Sequence, residues 1–182
     1  MAEAESPFAE VLGDQMIMKI NKQHKRAKFS MDDTLQTELQ EYIIFAKPNR
    51  KPFEPKSAED LKRLIREMHE LQSYRDRITG IFIQTQILID ELTTLISTGE
   101  AYLFSEYGDV IKKKCTNDKT REAAIRYIFG PVVRKLEDWK SLKKTAEMAK
   151  INLNDTYFVL HEIGANARAI LNDRKVRNSF DA

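Results

Sequence analysis

Apolar residues recur at heptad spacing from Ser57 to Gly99, and this is the most regular pattern in the chain. The first heptad position holds Leu61, Met68, Arg75, Phe82, Ile89 and Ile96, and the fourth holds Leu64, Leu71, Ile78, Thr85 and Leu92. The pattern predicts one long helix with an almost continuous apolar seam. Ser57 and Asp60 predict its N-terminal cap, and Gly99 marks a predicted end or bend.

A second helical pattern follows the turn at Thr116–Asp118, where Asn117 predicts a helix N-cap. Its seam holds Ile125, Phe129, Val132, Leu136, Trp139, Ala146, Leu153, Tyr157, Leu160, Ala167 and Leu171. Lys143, Lys150 and Gly164 interrupt this seam, and Gly130-Pro131 predicts a break near its start. Since neither segment can bury its seam alone, the two together predict an all-α fold, a long antiparallel helical hairpin resembling a coiled coil.

The segment before the hairpin has a different character. Ser30 predicts the N-cap of a short helix that ends near Phe45. Three prolines between Lys47 and Lys56 predict an extended connector, because proline cannot continue a helix. The predicted organisation is a basic arm with a short helix and connector at 1–56, a helical hairpin domain at 57–177 and a tail at 178–182.

Charge is unevenly distributed, although 30 basic and 28 acidic residues leave a formal net charge of only +2. The first long segment is acidic and the second is basic, which favours their pairing and leaves the second better suited to a polyanion. A single cysteine excludes an intrachain disulfide. The first residues lack the apolar segment of a secretion signal, and no apolar run has membrane-spanning length. We expect a cytoplasmic protein, in the host cytoplasm if it is viral, with no membrane partner.

No arrangement of residues points to a reaction. Glycine-rich phosphate-binding loops are absent from the sequence. His161-Glu162 begins like a helical zinc-protease motif, but Ala165 stands where the second histidine ligand is needed. Cys115 has no histidine near it in sequence to act as its base. We therefore expect a protein that is not an enzyme and that uses no cofactor and no metal.

Basic side chains suited to nucleic-acid phosphates are the candidate functional residues. They are Lys19, Lys22, Lys25, Arg26, Lys28, Lys112, Lys113, Lys114, Lys140, Lys143, Lys144, Arg174, Lys175 and Arg177. Tyr102, Phe104, Tyr107 and Tyr127 lie near the lysines at 112–114, and rings combined with cations are typical of proteins that bind single strands. In the alternative interpretation, the aromatic residues are core residues and the lysines only keep long helices soluble.

The segment Asn117-Asp118-Lys119-Thr120-Arg121-Glu122-Ala123-Ala124 is followed by a long helix that ends in Gly164-Ala165-Asn166-Ala167-Arg168-Ala169-Ile170-Leu171. This arrangement resembles small helical phage recombination mediators (UvsY-like proteins) over residues 60–177, and the N-terminal arm has no counterpart there. The resemblance implies an oligomeric, non-catalytic protein that binds single-stranded DNA and helps to load a recombinase. A recombinase or a single-strand-binding protein would then be a partner, together with further copies of the chain.

Two functions stay open at the level of sequence. The first is a non-catalytic accessory protein that binds single-stranded DNA or RNA. The second is a helical protein–protein interaction module, such as an adaptor, a virion component, an inhibitor or a small subunit of a nucleoprotein complex. Binding that weakens steeply with salt favours the first, and salt-insensitive association favours the second.

Overall fold

The computed structural model describes residues 8–26, 34–45 and 55–180. Its helices are α1 (Ala9–Gly13), α2 (Gln15–Gln23), α3 (Thr34–Phe45), α4 (Ala58–Lys114), α5 (Asp118–Ile128) and α6 (Gly130–Phe180), with a 3₁₀ turn at His24–Arg26. These described residues contain no strand. The predicted all-α fold is confirmed, and α4 and α6 are the two long helices of the predicted hairpin.

Local capping chemistry sets the first turns of α4 and α5. The Asp60 backbone N–H donates to Ser57 Oγ (3.1 Å), and the Asp60 carboxylate accepts from the Lys56 backbone N–H (3.1 Å) and the Ser57 hydroxyl (2.8 Å). At α5, Asn117 Oδ1 accepts from the Thr120 backbone N–H (2.9 Å), and Thr120 Oγ1 accepts from the Asn117 backbone N–H (3.1 Å). Both predicted caps are confirmed, and they satisfy backbone donors that a first helical turn leaves unpaired.

The predicted break at Gly130-Pro131 is also confirmed. Helix α5 ends at Ile128, the chain turns at Phe129, and α6 begins at Gly130. A proline fits here because backbone N–H groups in the first turn of a helix have no partner within the helix, so proline loses no hydrogen bond there. The backbone of α4 departs from helical geometry at Tyr107 (φ −121°, ψ 18°), within a helix that otherwise continues.

Packing divides the chain into two compact units, and α4 and α6 each contribute to both. Unit 1 comprises the described residues within Met1–Asp32 and Gln84–Leu142. Unit 2 comprises those within Asp33–Ile83 and Lys143–Ala182. Helices α1, α2 and α5 therefore belong to unit 1, and α3 belongs to unit 2. Each unit combines segments that are distant in sequence.

In unit 2, the seams of α4 and α6 are buried against each other. The buried seam residues are Leu64, Leu71, Ile78, Ala146, Ala149, Leu153 and Leu160. Gly164 of α6 lies against Leu64 of α4, and Asn154 of α6 bonds to Arg75 of α4. Residue numbers therefore decrease along α6 as they increase along α4, so the two helices are antiparallel.

Among the described side chains, a buried leucine, a carboxylate and the Tyr42 ring, whose centre lies 4.9 Å from that of Tyr74 on α4, attach helix α3 to unit 2. Leu39 is fully buried. Glu38 accepts from Arg77 through two nitrogens, Nε (2.8 Å) and Nη2 (3.1 Å), and from the Tyr42 hydroxyl (2.6 Å). The Arg77 hydrogen bond is the largest influence that lowers the pKa of Glu38, so the carboxylate stays ionised and keeps α3 on α4.

Arg75, the one charge in the α4 seam, has partners on both long helices, and its Nη1 donates to Gln72 Oε1 on α4 (2.8 Å). Its Nε donates to Asn154 Oδ1 (2.6 Å), and its guanidinium lies 4.5 Å from the centre of the Tyr157 ring. The structure gives Arg75 two amide oxygens and an aromatic face, and no acidic partner among the described residues. Such a pairing keeps the charge hydrogen-bonded at the edge of an apolar seam.

In unit 1, the arm with helices α1 and α2 is held against α4 and α5. Its buried residues include Val11, Ile17 and Ile20 from the arm, Ile89, Leu92, Leu103 and Ile111 from α4, and Ala124, Ile128, Phe129 and Val132 from the segment after the turn. The arm is therefore part of the core of unit 1. Its short helices are stabilised by this burial, since helices of their length are marginal alone.

Three glycines of the long helices have different surroundings. At Gly99, a Cβ would lie 2.6 Å from the Phe129 ring, so a glycine is needed here to leave room for the ring. Helix α4 continues through this position. The predicted end or bend at Gly99 is therefore wrong. At Gly164, a Cβ would lie 3.1 Å from Leu64, whereas Gly80 has no atom within 4 Å of that position.

We predict opposite effects for two identical substitutions in α4. Gly99→Ala forces the buried Phe129 ring to move and should destabilise the protein by about 1–3 kcal/mol, the usual cost of overpacking. Gly80→Ala meets only open space and should stabilise by up to about 1 kcal/mol through helix propensity. Urea denaturation followed by circular dichroism measures both, and a Gly99→Ala protein as stable as Gly80→Ala would contradict the packing described here.

Candidate nucleic-acid interface

Asp14 fixes the position of the arm in unit 1. Its Oδ1 accepts from the backbone N–H groups of Met16 (2.7 Å) and Ile17 (3.0 Å), which caps α2. Its Oδ2 accepts from the hydroxyls of Tyr102 (3.1 Å) and Tyr107 (3.0 Å) on α4. One carboxylate thus ends the turn between α1 and α2 and attaches both to α4.

These hydrogen bonds alter the acidity of the groups involved. The Ile17 backbone N–H is the largest influence that lowers the pKa of Asp14, against an opposing desolvation, and the Tyr107 hydroxyl adds to the lowering. The pKa of Tyr107 is raised, first by its hydrogen bond to Asp14. The pKa of Tyr102 is raised first by desolvation. Near neutral pH the cluster is one carboxylate held by two protonated phenols.

The lysines of α2 face away from this attachment. Asn21 Nδ2 donates to the Ile128 backbone carbonyl (2.8 Å), a second tie between α2 and the rest of unit 1. With Ile17 and Ile20 turned inward, Lys19, Lys22 and Lys25 are exposed on the outer side. An open groove of about 450 Å³ runs along this side, lined by Gln15, Met18, Lys19, Lys22 and Gln23. The basic stretch is therefore an ordered, solvated helix face.

A second group of cations lies at the end of α4, beside exposed aromatic rings. Lys112 and Lys113 are exposed and form no ion pair within the described part of the chain. Lys114 Nζ lies 5.5 Å from the centre of the Phe8 ring. The Phe8 ring in turn lies 6.2 Å from that of Tyr127, which is 54% exposed. Cations and two neighbouring rings thus share one surface of unit 1.

The arginines near this surface are already neutralised. Arg121 pairs with Asp118 (3.1 Å), and Arg126 pairs with both Glu122 (3.4 Å) and Glu137 (3.7 Å). Pairs of this kind on a helix surface compete with an incoming phosphate for the same guanidinium. Lys112 and Lys113, which form no ion pair within the described residues, are cations that a phosphate can reach there.

The structure divides the four aromatic residues that the sequence placed near the lysines. Tyr102 and Tyr107 use their hydroxyls to hold Asp14 and so serve the architecture. Tyr127 and Phe104 are exposed, and Tyr127 contacts Phe8. Phe8 is not among the candidate residues that the sequence indicated. Its role depends on the arm folding back onto unit 1, which no local pattern signals.

Lys143 is occupied within unit 2. Its Nζ lies 4.8 Å from the centre of the Phe82 ring, and Lys150 Nζ lies 5.4 Å from the same centre. The two lysines that interrupt the α6 seam thus enclose an aromatic residue of the α4 seam, a cation–π arrangement that compensates for their polarity. We regard Lys143 as a structural residue.

The remaining candidate residues are scattered or undescribed. Lys140 is exposed on α6 in unit 1, and Lys144 is exposed on α6 in unit 2. Lys28 and the side chains of Arg26, Arg174, Lys175 and Arg177 lie outside the described residues. Unit 1 therefore contains two basic groups that are about ninety positions apart, Lys19–Lys25 and Lys112–Lys114, whereas Lys143 and Lys144 belong to unit 2.

Neither a metal site nor an exposed thiol is present in the described part of the chain. Its His, Cys, Asp and Glu residues form no group able to hold a metal ion. Cys115 is buried, with 3% of its surface exposed. The described helices include none long and apolar enough to cross a membrane.

Comparisons with protein-family models, with curated proteins and with solved structures give no match to this chain.

We predict that acid releases the arm. A carboxylate whose pKa is lowered in the folded state stabilises that state above the ordinary carboxyl pKa of about 3.9, and loses this effect as the pH falls toward the lowered value. Protection factors of the α2 amides in hydrogen exchange, corrected for intrinsic rates, should fall below about pH 4. In Asp14→Asn, the amide can still cap α2 but does not titrate, so the acid-dependent loss should vanish. An unchanged pH profile in this variant would contradict the role of Asp14.

Proposed function

We propose that this protein is a non-catalytic accessory protein that binds single-stranded nucleic acid through unit 1. The observation that carries the proposal is the surface formed by Lys112, Lys113 and Lys114 beside the rings of Phe8 and Tyr127. Below, this surface is called the turn surface.

The chemistry of the turn surface matches a single strand better than a duplex. Unpaired bases expose their faces and can stack on Tyr127, which is 54% exposed, whereas paired bases are stacked on each other. Flexible lysines neutralise phosphates without demanding a base sequence. Binding of this kind discriminates strand state more than sequence, and therefore suits an accessory protein that acts wherever single strands arise.

Lys19 and Lys22 of α2, with Lys25 of the 3₁₀ turn that follows, form a second basic area of unit 1. Its groove adds Met18, which is 40% exposed, and the amides of Gln15 and Gln23, which offer donors and acceptors to base edges or sugars. We place a second segment of the bound strand in this groove.

A role as a recombination mediator is the more specific form of the proposal, and it rests on the sequence resemblance. In that form the partner is a recombinase or a single-strand-binding protein, with DNA as the strand. RNA stays an equal ligand for the general form, because phosphates and base faces are common to both.

The first test is the salt dependence of binding. If five of the exposed lysines of unit 1 (Lys19, Lys22, Lys25, Lys112 and Lys113) contact phosphates, the plot of log affinity against log salt should have a slope near −3.5, at about 0.7 per contact for single strands. Fluorescence anisotropy with a labelled oligonucleotide measures it, and a labelled duplex of the same sequence is the comparison. No binding to the single strand at low salt would contradict the proposal.

Two matched double variants locate the site. Lys112→Gln with Lys113→Gln should reduce the slope by about 1.4 and weaken binding at every sequence tested. Lys62→Gln with Arg66→Gln removes two equally exposed cations of α4 in unit 2, which are paired with Glu59, and should leave the slope unchanged. Equal losses in both variants would show only a general charge effect.

The stacking role is tested separately. Tyr127→Ala should weaken single-strand binding by about 1–3 kcal/mol, the usual contribution of one stacked base, and leave duplex binding and the salt slope unchanged. Phe104→Ala removes another exposed ring of unit 1, 44% exposed, and is the control. The stacking role fails if Tyr127→Ala binds the single strand as tightly as Phe104→Ala.

A further inference from the structure

An open pocket of about 220 Å³ lies in unit 2, where one side of α4 meets one side of α6. Its lining comes from both helices and consists of Ile65, Met68, His69, Gln72, Tyr157 and Arg168. The two aliphatic side chains and the tyrosine are half-buried, whereas the histidine, the glutamine and the arginine are exposed. An apolar floor with a polar rim is typical of a small-molecule site, and a volume below the roughly 300 Å³ of common ligand pockets indicates a small ligand.

The α6 side of the pocket is open because a glycine and a stacked ring leave space there. At about 100° per residue, Tyr157, Gly164 and Arg168 fall on the same side of α6. Gly164 contributes no side chain to this stretch. The His161 ring, also on this side, stacks on that of Tyr157, with 6.4 Å between the ring centres. These two features leave room between Tyr157 and Arg168.

The opposite end of the pocket is held in place by Arg75. Its guanidinium lies 4.5 Å from the centre of the Tyr157 ring, and its Nη1 donates to Gln72 Oε1 (2.8 Å). Gln72 Nε2 in turn donates to Asp76 Oδ1 (2.8 Å). Tyr157 and Gln72 are therefore positioned before a ligand arrives, which lowers the entropic cost of binding.

Arg168 and His69 are the rim groups available to a ligand. They stand on different helices, and neither forms a hydrogen bond or an ion pair within the described part of the chain. On the pocket side of α6, the sequence has no acid between Asn154 and Arg168. On that side of α4, Asp76 lies one turn beyond Gln72, at the end away from Arg168. The rim is therefore cationic, and a guanidinium suits a carboxylate or a phosphate group.

We propose that this pocket binds a small organic anion, whose carboxylate or phosphate group is held by Arg168 and His69. The apolar body of the anion lies on Ile65 and Met68, beside the Tyr157 ring. An inorganic anion would leave the apolar floor uncovered, and a neutral apolar molecule would give the guanidinium no partner. The site belongs to unit 2 and does not depend on nucleic-acid binding by unit 1.

An NMR titration of the full chain, with isotope-labelled methionine methyl groups, tests the site. Phenylacetate and phenyl phosphate are the carboxylate and phosphate probes, phenylacetamide is the neutral counterpart, and inorganic phosphate is the anion without an apolar body. At least one organic anion should shift the Met68 methyl signal saturably, with a dissociation constant on the order of 1 mM. The stronger of the two identifies the preferred acidic group. The methyl signal of Met148, an exposed methionine of α6 outside the pocket, should not move.

Two matched variants of α6 separate the site from a general charge effect. Arg168→Gln should weaken binding of the preferred organic anion at least about fivefold. Lys144→Gln removes another exposed cation of α6 in unit 2 and should bind like wild type. Both positions are exposed, and circular dichroism confirms that each variant is folded.

Three results would overturn the proposal. The first is an unmoved Met68 signal with both organic anions at millimolar concentration. The second is phenylacetamide or inorganic phosphate binding as tightly as the organic anions, since the site would then lack either its cationic or its apolar part. The third is an equal loss of affinity in Arg168→Gln and Lys144→Gln.

Discussion

Mutual burial of the α4 and α6 seams is the constraint on which the rest of the structure depends. A long amphipathic helix gains little by itself, because its apolar side stays in water until another element covers it. In unit 2, Leu64 and Leu71 of α4 are covered in this way together with Leu153 and Leu160 of α6. The same two helices provide the surfaces on which the short helices α1, α2 and α3 are held, since these are too short to be stable alone.

Polar residues are accommodated in both units by specific partners. Arg75 lies on Tyr157 and bonds to Asn154, and Asp14 gathers two backbone N–H groups and two tyrosine hydroxyls. In unit 1, the hydrogen bonds of Asp14 matter for the proposed function. Because the carboxylate fixes the arm, Phe8 comes to lie beside Lys114 and Tyr127, and the proposed stacking surface exists only in the docked arrangement.

Local patterns predicted the elements, whereas side-chain roles needed the tertiary structure. Asn117 and Gly130-Pro131 act through neighbouring backbone groups, so their effects could be read from the sequence. The role of Gly99 could not be read from the sequence, because it depends on contact with the Phe129 ring, about thirty positions further along the chain. Lys143 was taken for a phosphate ligand since the sequence does not show that it faces Phe82. For the same reason, charge alone could not show that Lys143 and Lys144 belong to unit 2, whereas Lys112–Lys114 belong to unit 1.

The central claim is that a single strand lies along unit 1, against the turn surface and α2. Photocrosslinking with an oligonucleotide that carries 5-iodouracil, followed by mass spectrometry of the crosslinked peptides, tests it most directly. We predict crosslinks at Tyr127 or Phe8, with further crosslinks near Met18, and their loss when an unlabelled single strand competes. Crosslinks confined to residues 143–173 of α6, or an absence of crosslinks under conditions where the strand is bound, would contradict the account.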